Sequence, residues 1–128
     1  MQEQVQPSQQ TTVLVVDDDA LLCRALERVL KTVGYEVLSA LDGAIGVEVS
    51  RSYLGSIDLV LADIMMPTGH GFSLVDTLAR ERPESKIVLI SGTVREHMLL
   101  PDDRAHIHAF LEKPFSTFSL LQLMRSLL

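Results

Sequence analysis

The 128-residue chain has a single cysteine, no apolar run long enough to span a bilayer, no cluster of Lys and Arg, and no glycine-rich turn after its first apolar segment. Each absence removes a class of protein. A lone Cys23 cannot close an internal disulfide, so no cross-link framework holds the fold and a reducing compartment suits it. Without ~18 consecutive apolar residues there is no candidate membrane span. A formal charge of −6 with no basic cluster argues against a nucleic-acid surface, because affinity for phosphate backbones comes from grouped Lys and Arg. Acidic residues stand where an ordinary doubly wound nucleotide-binding fold needs its glycines. The opening MQEQVQPSQQTT carries neither the basic cluster nor the apolar stretch of a secretory signal, so the cytoplasm is the expected location.

What is present is enough apolar sequence, 47% of residues, for one domain with a core. Residues 1–11 are rich in Gln and Ser, with too little large apolar surface to order themselves, and are expected to be a flexible tail. The domain is expected to run over 12–128. Val13-Leu14-Val15-Val16 is a short continuous apolar run, the signature of a strand buried on both faces, and it stops at Asp17-Asp18-Asp19. Leu22, Ala25, Leu26, Val29, Leu30 and Val33 then recur at helical spacing, closed by Gly34.

The alternation continues. Tyr35–Ala40 reads as a strand, and Asp42 caps a helix to about Ser52. Asp58–Ala62 is a third strand ending at Asp63. A loop with Pro67, Gly69 and Gly71 leads to a helix with Leu74, Val75 and Leu78 inward, stopped at Pro83. Lys86–Ile90 is a fourth strand, ending at Ser91-Gly92. Val94 to His106 predicts a short or distorted helix, since Pro101-Asp102-Asp103 breaks it. Ile107–Leu111 is a fifth strand, ended by Lys113-Pro114, and Ser116 caps a last helix. Five strands strictly alternating with five helices imply a parallel sheet covered on both faces, a doubly wound (βα)5 fold. In such sheets function collects at the carboxyl ends of the strands.

Those ends carry Asp17, Asp18, Asp19, Asp63, Ser91 and Lys113. Several carboxylates brought together repel one another unless a cation neutralises them, and a hard divalent ion such as Mg²⁺, which prefers oxygen ligands, suits them. Ser91 and Lys113 complete an oxyanion clamp, one as hydroxyl donor and one as point charge. Taken singly, each residue has a duller explanation: a helix cap, a loop start, a turn former, a solvated charge. Four complementary groups at four strand ends of an otherwise apolar sheet do not.

With VLVVDDD, DLVLADIMMP, LISGT and FLEKPF in place, the chain resembles the receiver domain of two-component response regulators over Thr12 to Leu128. The resemblance implies the flavodoxin-like strand order 2-1-3-4-5. It implies Asp63 as phosphoacceptor, with Mg²⁺ held by Asp18 and Asp63 directly, by Asp17 through water, and by the backbone carbonyl of Met65. Ser91 corresponds to the hydroxyl that follows the phosphoryl group, Phe110 to the aromatic switch and Lys113 to the phosphate-contacting lysine, with Lys113-Pro114 cis. The implied donor is a phosphohistidine of a histidine kinase or histidine phosphotransfer protein. The transfer signals to a partner by switching the domain between two states. His70 stands where many receivers have Asp and receives no role. Ser91-Gly92 with the proline-broken segment resembles receivers fused to hybrid histidine kinases.

Two other readings are open. Asp17-Asp18-Asp19-Ala20-Leu21 approximates the D-x-D motif of haloacid-dehalogenase-like phosphotransferases, with Asp17 as nucleophile. A pseudo-receiver would dock partners without phosphorylation. His106 and His108 are expected to face solvent, and Cys23 to pack. Phe118, Leu120, Leu121, Leu123, Met124, Leu127 and Leu128 form a band wider than one core-facing stripe, which allows a homodimer or an output partner on the last strand and helix.

Overall fold

The computed structural model describes residues 10–63, 71–92 and 106–128, the side chains of Phe72 and Ser91 excepted. Met65, His70 and residues 94–105 of the helix expected to reach His106 lie outside the described residues, and His106 itself is in a turn. The elements in chain order are β1 (Thr12–Val16), α1 (Ala20–Val33), β2 (Glu36–Ala40), α2 (Gly43–Ser52), β3 (Leu59–Asp63), α3 (Gly71–Glu81), β4 (Lys86–Ser91), β5 (Ala109–Glu112) and α4 (Thr117–Leu127). All strand pairs are parallel, in the order β2-β1-β3-β4-β5. That is the expected order.

Alternate residues of the central strands feed two cores. Leu14, Val16, Val60, Ala62, Ile87 and Leu89 pack with Leu74, Val75 and Leu78 of α3, with Val47 and Val49 of α2 against them. Val13, Val15, Leu59, Leu61, Val88 and Ile90 face the other way, onto Cys23, Leu26 and Leu30 of α1 and Leu120 and Met124 of α4. The period-two alternation of a strand thus places one helix pair on each face. Gly46 permits the close approach of α2, since a Cβ there would lie 3.0 Å from Val16 Cγ2 and 3.2 Å from Leu74 Cδ1.

The ends of the helices are set locally. Asp19 Oδ1 accepts from the Leu21 and Leu22 amides at the start of α1, Asp42 Oδ1 from Ile45, and Ser116 Oγ from Ser119. Gly34, at φ +112°, closes α1 in the left-handed conformation that a side chain disfavours. The tail boundary shifts slightly: Gln10 Nε2 donates to Gly34 O, and Thr11 O accepts from Glu36 N, so Gln10 and Thr11 already belong to the folded body. The apolar band of α4 also narrows. Leu120 and Met124 are buried, while Leu121, Leu123 and Leu127 pack partly against the same core. Phe118 and Leu128 are left exposed. The band is wider than one stripe because Leu121, Leu123 and Leu127 flank the buried pair on the same core.

Arg82, just past α3, fixes the C-terminal end of α2. Its guanidinium donates to Ser50 Oγ, Ser50 O, Tyr53 O and Gly55 O. Ser50 O also accepts from the Tyr53 amide, so the fork adds a second donor there and supplies one to the Tyr53 and Gly55 carbonyls past the helix end. Arg82→Ala is expected to lower unfolding free energy by about 2 kcal/mol in urea titrations. Arg82→Lys recovers little of it, because an ammonium cannot reproduce the planar fork.

His108 faces solvent as expected, and it also joins the backbone of the sheet. Its backbone N–H donates to Ile87 O, and its Nδ1 accepts the Ile87 amide hydrogen at 3.0 Å. The residue stays largely exposed, but this nitrogen acts as an acceptor at the start of the β4–β5 ladder. Loss of hydration, then the nearby Lys86 ammonium, pulls its pKa below the ordinary 6.5. The unfolded chain therefore binds this proton more readily. The stabilisation is complete above about pH 6.5 and is lost as pH falls through the lower folded value. His108→Leu should cost under about 1 kcal/mol at pH 7.5, and that difference from wild type should shrink by pH 5 in paired denaturant titrations.

Candidate functional site

Three strands end on the same edge of the sheet and deliver the site. β1 and β3 are neighbours in register Val16↔Ala62, so Asp17 and Asp63 emerge side by side. Asp63 closes β3 and is nearly fully buried. Asp17 is buried completely: its N–H donates to Ala40 O, and its Oδ1 accepts from the Asp19 amide at 2.9 Å. Lys113 follows β5 and reaches back across β4, placing Nζ 2.9 Å from Asp17 Oδ2 and 3.0 Å from Asp63 Oδ2. Only the Asp63 contact has hydrogen-bonding geometry; Asp17 Oδ2 is a buried oxygen with ionic compensation alone.

The electrostatics follow from one cation between two anions. Burial raises the Asp17 pKa, helped by the neighbouring Asp63 charge, against the Asp19 amide and Lys113. Burial alone would lower that of Lys113, but the close Asp17 and Asp63 carboxylates prevail and raise it. Asp18, exposed at the rim, brings a third carboxylate. One oxygen each from Asp17, Asp18 and Asp63 lies within 4.8 Å of the others. Three carboxylates against one ammonium leave an excess of negative charge. Together with the orphaned Asp17 Oδ2, the all-oxygen donor set fits a hard divalent cation.

Asp17, Asp18, Asp63 and Lys113 therefore meet as expected, and the Lys113-Pro114 peptide is cis. Ser91 ends β4 in register with Glu112, but its side chain lies outside the described residues, as does Met65. Phe110 is half-buried on β5, facing the core shared by α2 and α3. Cys23 packs as expected: its thiol donates to Asp17 O at 3.3 Å, and burial pushes its pKa up to about 11. Two features were not legible in the sequence. Lys113 binds Asp17 as well as Asp63, a pairing 96 positions apart in the numbering that no local pattern announces. Beside it lies a pocket of about 430 Å³ lined by Asp19, Leu22, Lys113, Pro114 and Phe115.

Among the described residues, no helix is long and apolar enough to cross a membrane. Sensor kinase CckA of Brucella abortus is 31% identical over 119 residues, covering 91% of this chain and 12% of that protein. Chemotaxis protein CheY of Treponema pallidum is 30% identical over 117 residues, covering 91% of this chain and 81% of that one. The chain thus spans most of one relative and a small part of the other. Response regulator protein TrrA of Thermotoga maritima, whose structure was solved in complex with Mg²⁺-BeF, superposes with a TM-score of 0.77 at 27% identity, covering 93% of this chain and all of that one. The model of the response regulator receiver domain matches residues 13–125, from the first core residue of β1 almost to the end of α4, and the chain belongs to that family.

Proposed function

We propose that Asp63 is the phosphoacceptor of this receiver domain and that the domain runs over residues 12–128. The observation that carries the assignment is the Lys113 ammonium, held within 3.0 Å of Asp63 Oδ2 beside a second buried carboxylate. An Asp63 oxygen attacks the phosphorus of a phosphohistidine, and the imidazole departs as the new P–O bond forms. Lys113 is placed to follow the phosphoryl oxygens as the charge on Asp63 changes. Asp17 and Asp18, with Asp63 and the Met65 carbonyl, would hold Mg²⁺. When bound, Mg²⁺ supplies positive charge to the transferring oxygens.

The same residues support the chain's own part in acquiring and losing the phosphoryl group. Ser91 and Phe110 are the proposed readout: the hydroxyl moves to the dianion and Phe110 turns inward, biasing β5 and its flanking helices. The donor is a histidine kinase or histidine phosphotransfer protein, and a homodimer or output partner on β5 and α4 receives the signal. An Asp17 nucleophile of the haloacid-dehalogenase type is disfavoured by the match of residues 13–125 to the receiver-domain family.

Incubation with Mg²⁺ and a small phosphodonor should add one phosphoryl mass to the wild-type protein and none to Asp63→Asn. Labelling that survives this substitution would sink the assignment. Calorimetric titration of Asp17→Asn with Mg²⁺ should show affinity weakened by about tenfold or more, as expected of a partner that orients the ion's ligands.

A further inference from the structure

The acidic turn after β1 consists of three consecutive peptide units, and each has its own anchor. The Asp17 N–H donates to Ala40 O at 3.1 Å, which fixes the unit before Asp17. The Asp19 N–H donates to Asp17 Oδ1 at 2.9 Å, which fixes the unit after Asp18. The middle unit, between Asp17 and Asp18, is held from α1, where the Cys23 thiol donates to Asp17 O at 3.3 Å inside the core. Among the described residues no other donor reaches that carbonyl. A peptide unit is planar, so the direction of Asp17 O sets the plane from which both the Asp17 and the Asp18 side chains leave the chain.

The helix supplies this donor for a geometric reason. Asp19 caps α1 and Cys23 lies in its first turn, where Cα–Cβ bonds tilt toward the N-terminus and so toward the acidic turn. The thiol is buried with Leu26 and Leu30, where bulk water offers the carbonyl little substitute. What the turn aims at is marked independently. Asp17 Oδ2 is wholly buried without a hydrogen bond, and one oxygen each of Asp17, Asp18 and Asp63 lies within 4.8 Å of the others. Such a set suits a small hard cation only while its carboxylates keep their relative aim, since Mg²⁺ demands near-ideal geometry.

We infer that Cys23 is a positioning residue for the acidic pair, its thiol fixing the Asp17–Asp18 peptide unit so that both carboxylates face one divalent cation, an inference that rests on the proposed Mg²⁺ site. Cys23 touches neither the ion nor the acceptor oxygen. It acts through the Asp17 backbone.

Cys23→Ala and Cys23→Ser are nearly equal in volume and differ in one hydroxyl donor. Each full chain is titrated with Mg²⁺ by calorimetry, and urea unfolding gives its folded fraction, at which affinities are compared. Affinity should fall by about three- to fivefold in Cys23→Ala, less than for a group that orients a metal ligand directly, because a thiol is a weak donor. Cys23→Ser should bind at least about twofold tighter than Cys23→Ala, although a hydroxyl in an apolar core makes it no more resistant to urea. A side chain that only packed would give affinities in the order of stability. Binding by Cys23→Ser no tighter than by Cys23→Ala, or unchanged from wild type in both, would overturn the role of Cys23 alone. A wild-type chain that takes up no Mg²⁺ would overturn the metal site beneath it.

Discussion

The Lys113 ammonium between Asp17 and Asp63 is the interaction on which the site depends. Two carboxylates taken out of water next to each other are costly, and one ammonium compensates them incompletely. The deficit is visible in Asp17, whose pKa burial raises and whose Oδ2 lacks a hydrogen bond. A structural ion pair would have matched charge with charge. This one leaves negative charge to spare, which is what a site must do if it is to take up a cation and then a phosphoryl group.

Everything else in the fold serves to bring those three residues together. β1 and β3 pair in the middle of the sheet, and their strand ends set the two carboxylates side by side. β5 lies two strands away from β3, so only a long side chain reaches back. Lys113 has the length. The two cores, α2 and α3 on one face and α1 and α4 on the other, keep the strands from shifting relative to one another, since a one-residue slip would turn every core side chain toward the wrong helices.

The position of Lys113 just past the edge strand gives the proposed readout its physical route. β5 has four residues and, among the described residues, pairs only with β4. Phe110 sits three residues before Lys113 on that strand, half-buried against the opposite core from the one that holds α1. At the other end of β5, His108 replaces a backbone acceptor with an imidazole nitrogen. A short edge strand leading to the cation suits an element that must adopt two arrangements.

Sequence alone determined what local chemistry controls. Asp19, Asp42 and Ser116 as helix caps, Gly34 as a left-handed stop, and the alternation of apolar runs with helical periodicity all act over a few residues, so they could be read in order along the chain. Asp17, Asp18, Asp63 and Lys113 were legible for the same reason, as polar groups closing apolar strands. Only the tertiary structure decided which of them touch. It showed Lys113 shared by two carboxylates, the Nδ1 of His108 taking a β4 amide, Arg82 collecting carbonyls from α2, and a pocket between α1 and the turn into α4. Each joins residues far apart in the chain, and its energy comes from burial and geometry that exist only once the sheet has closed.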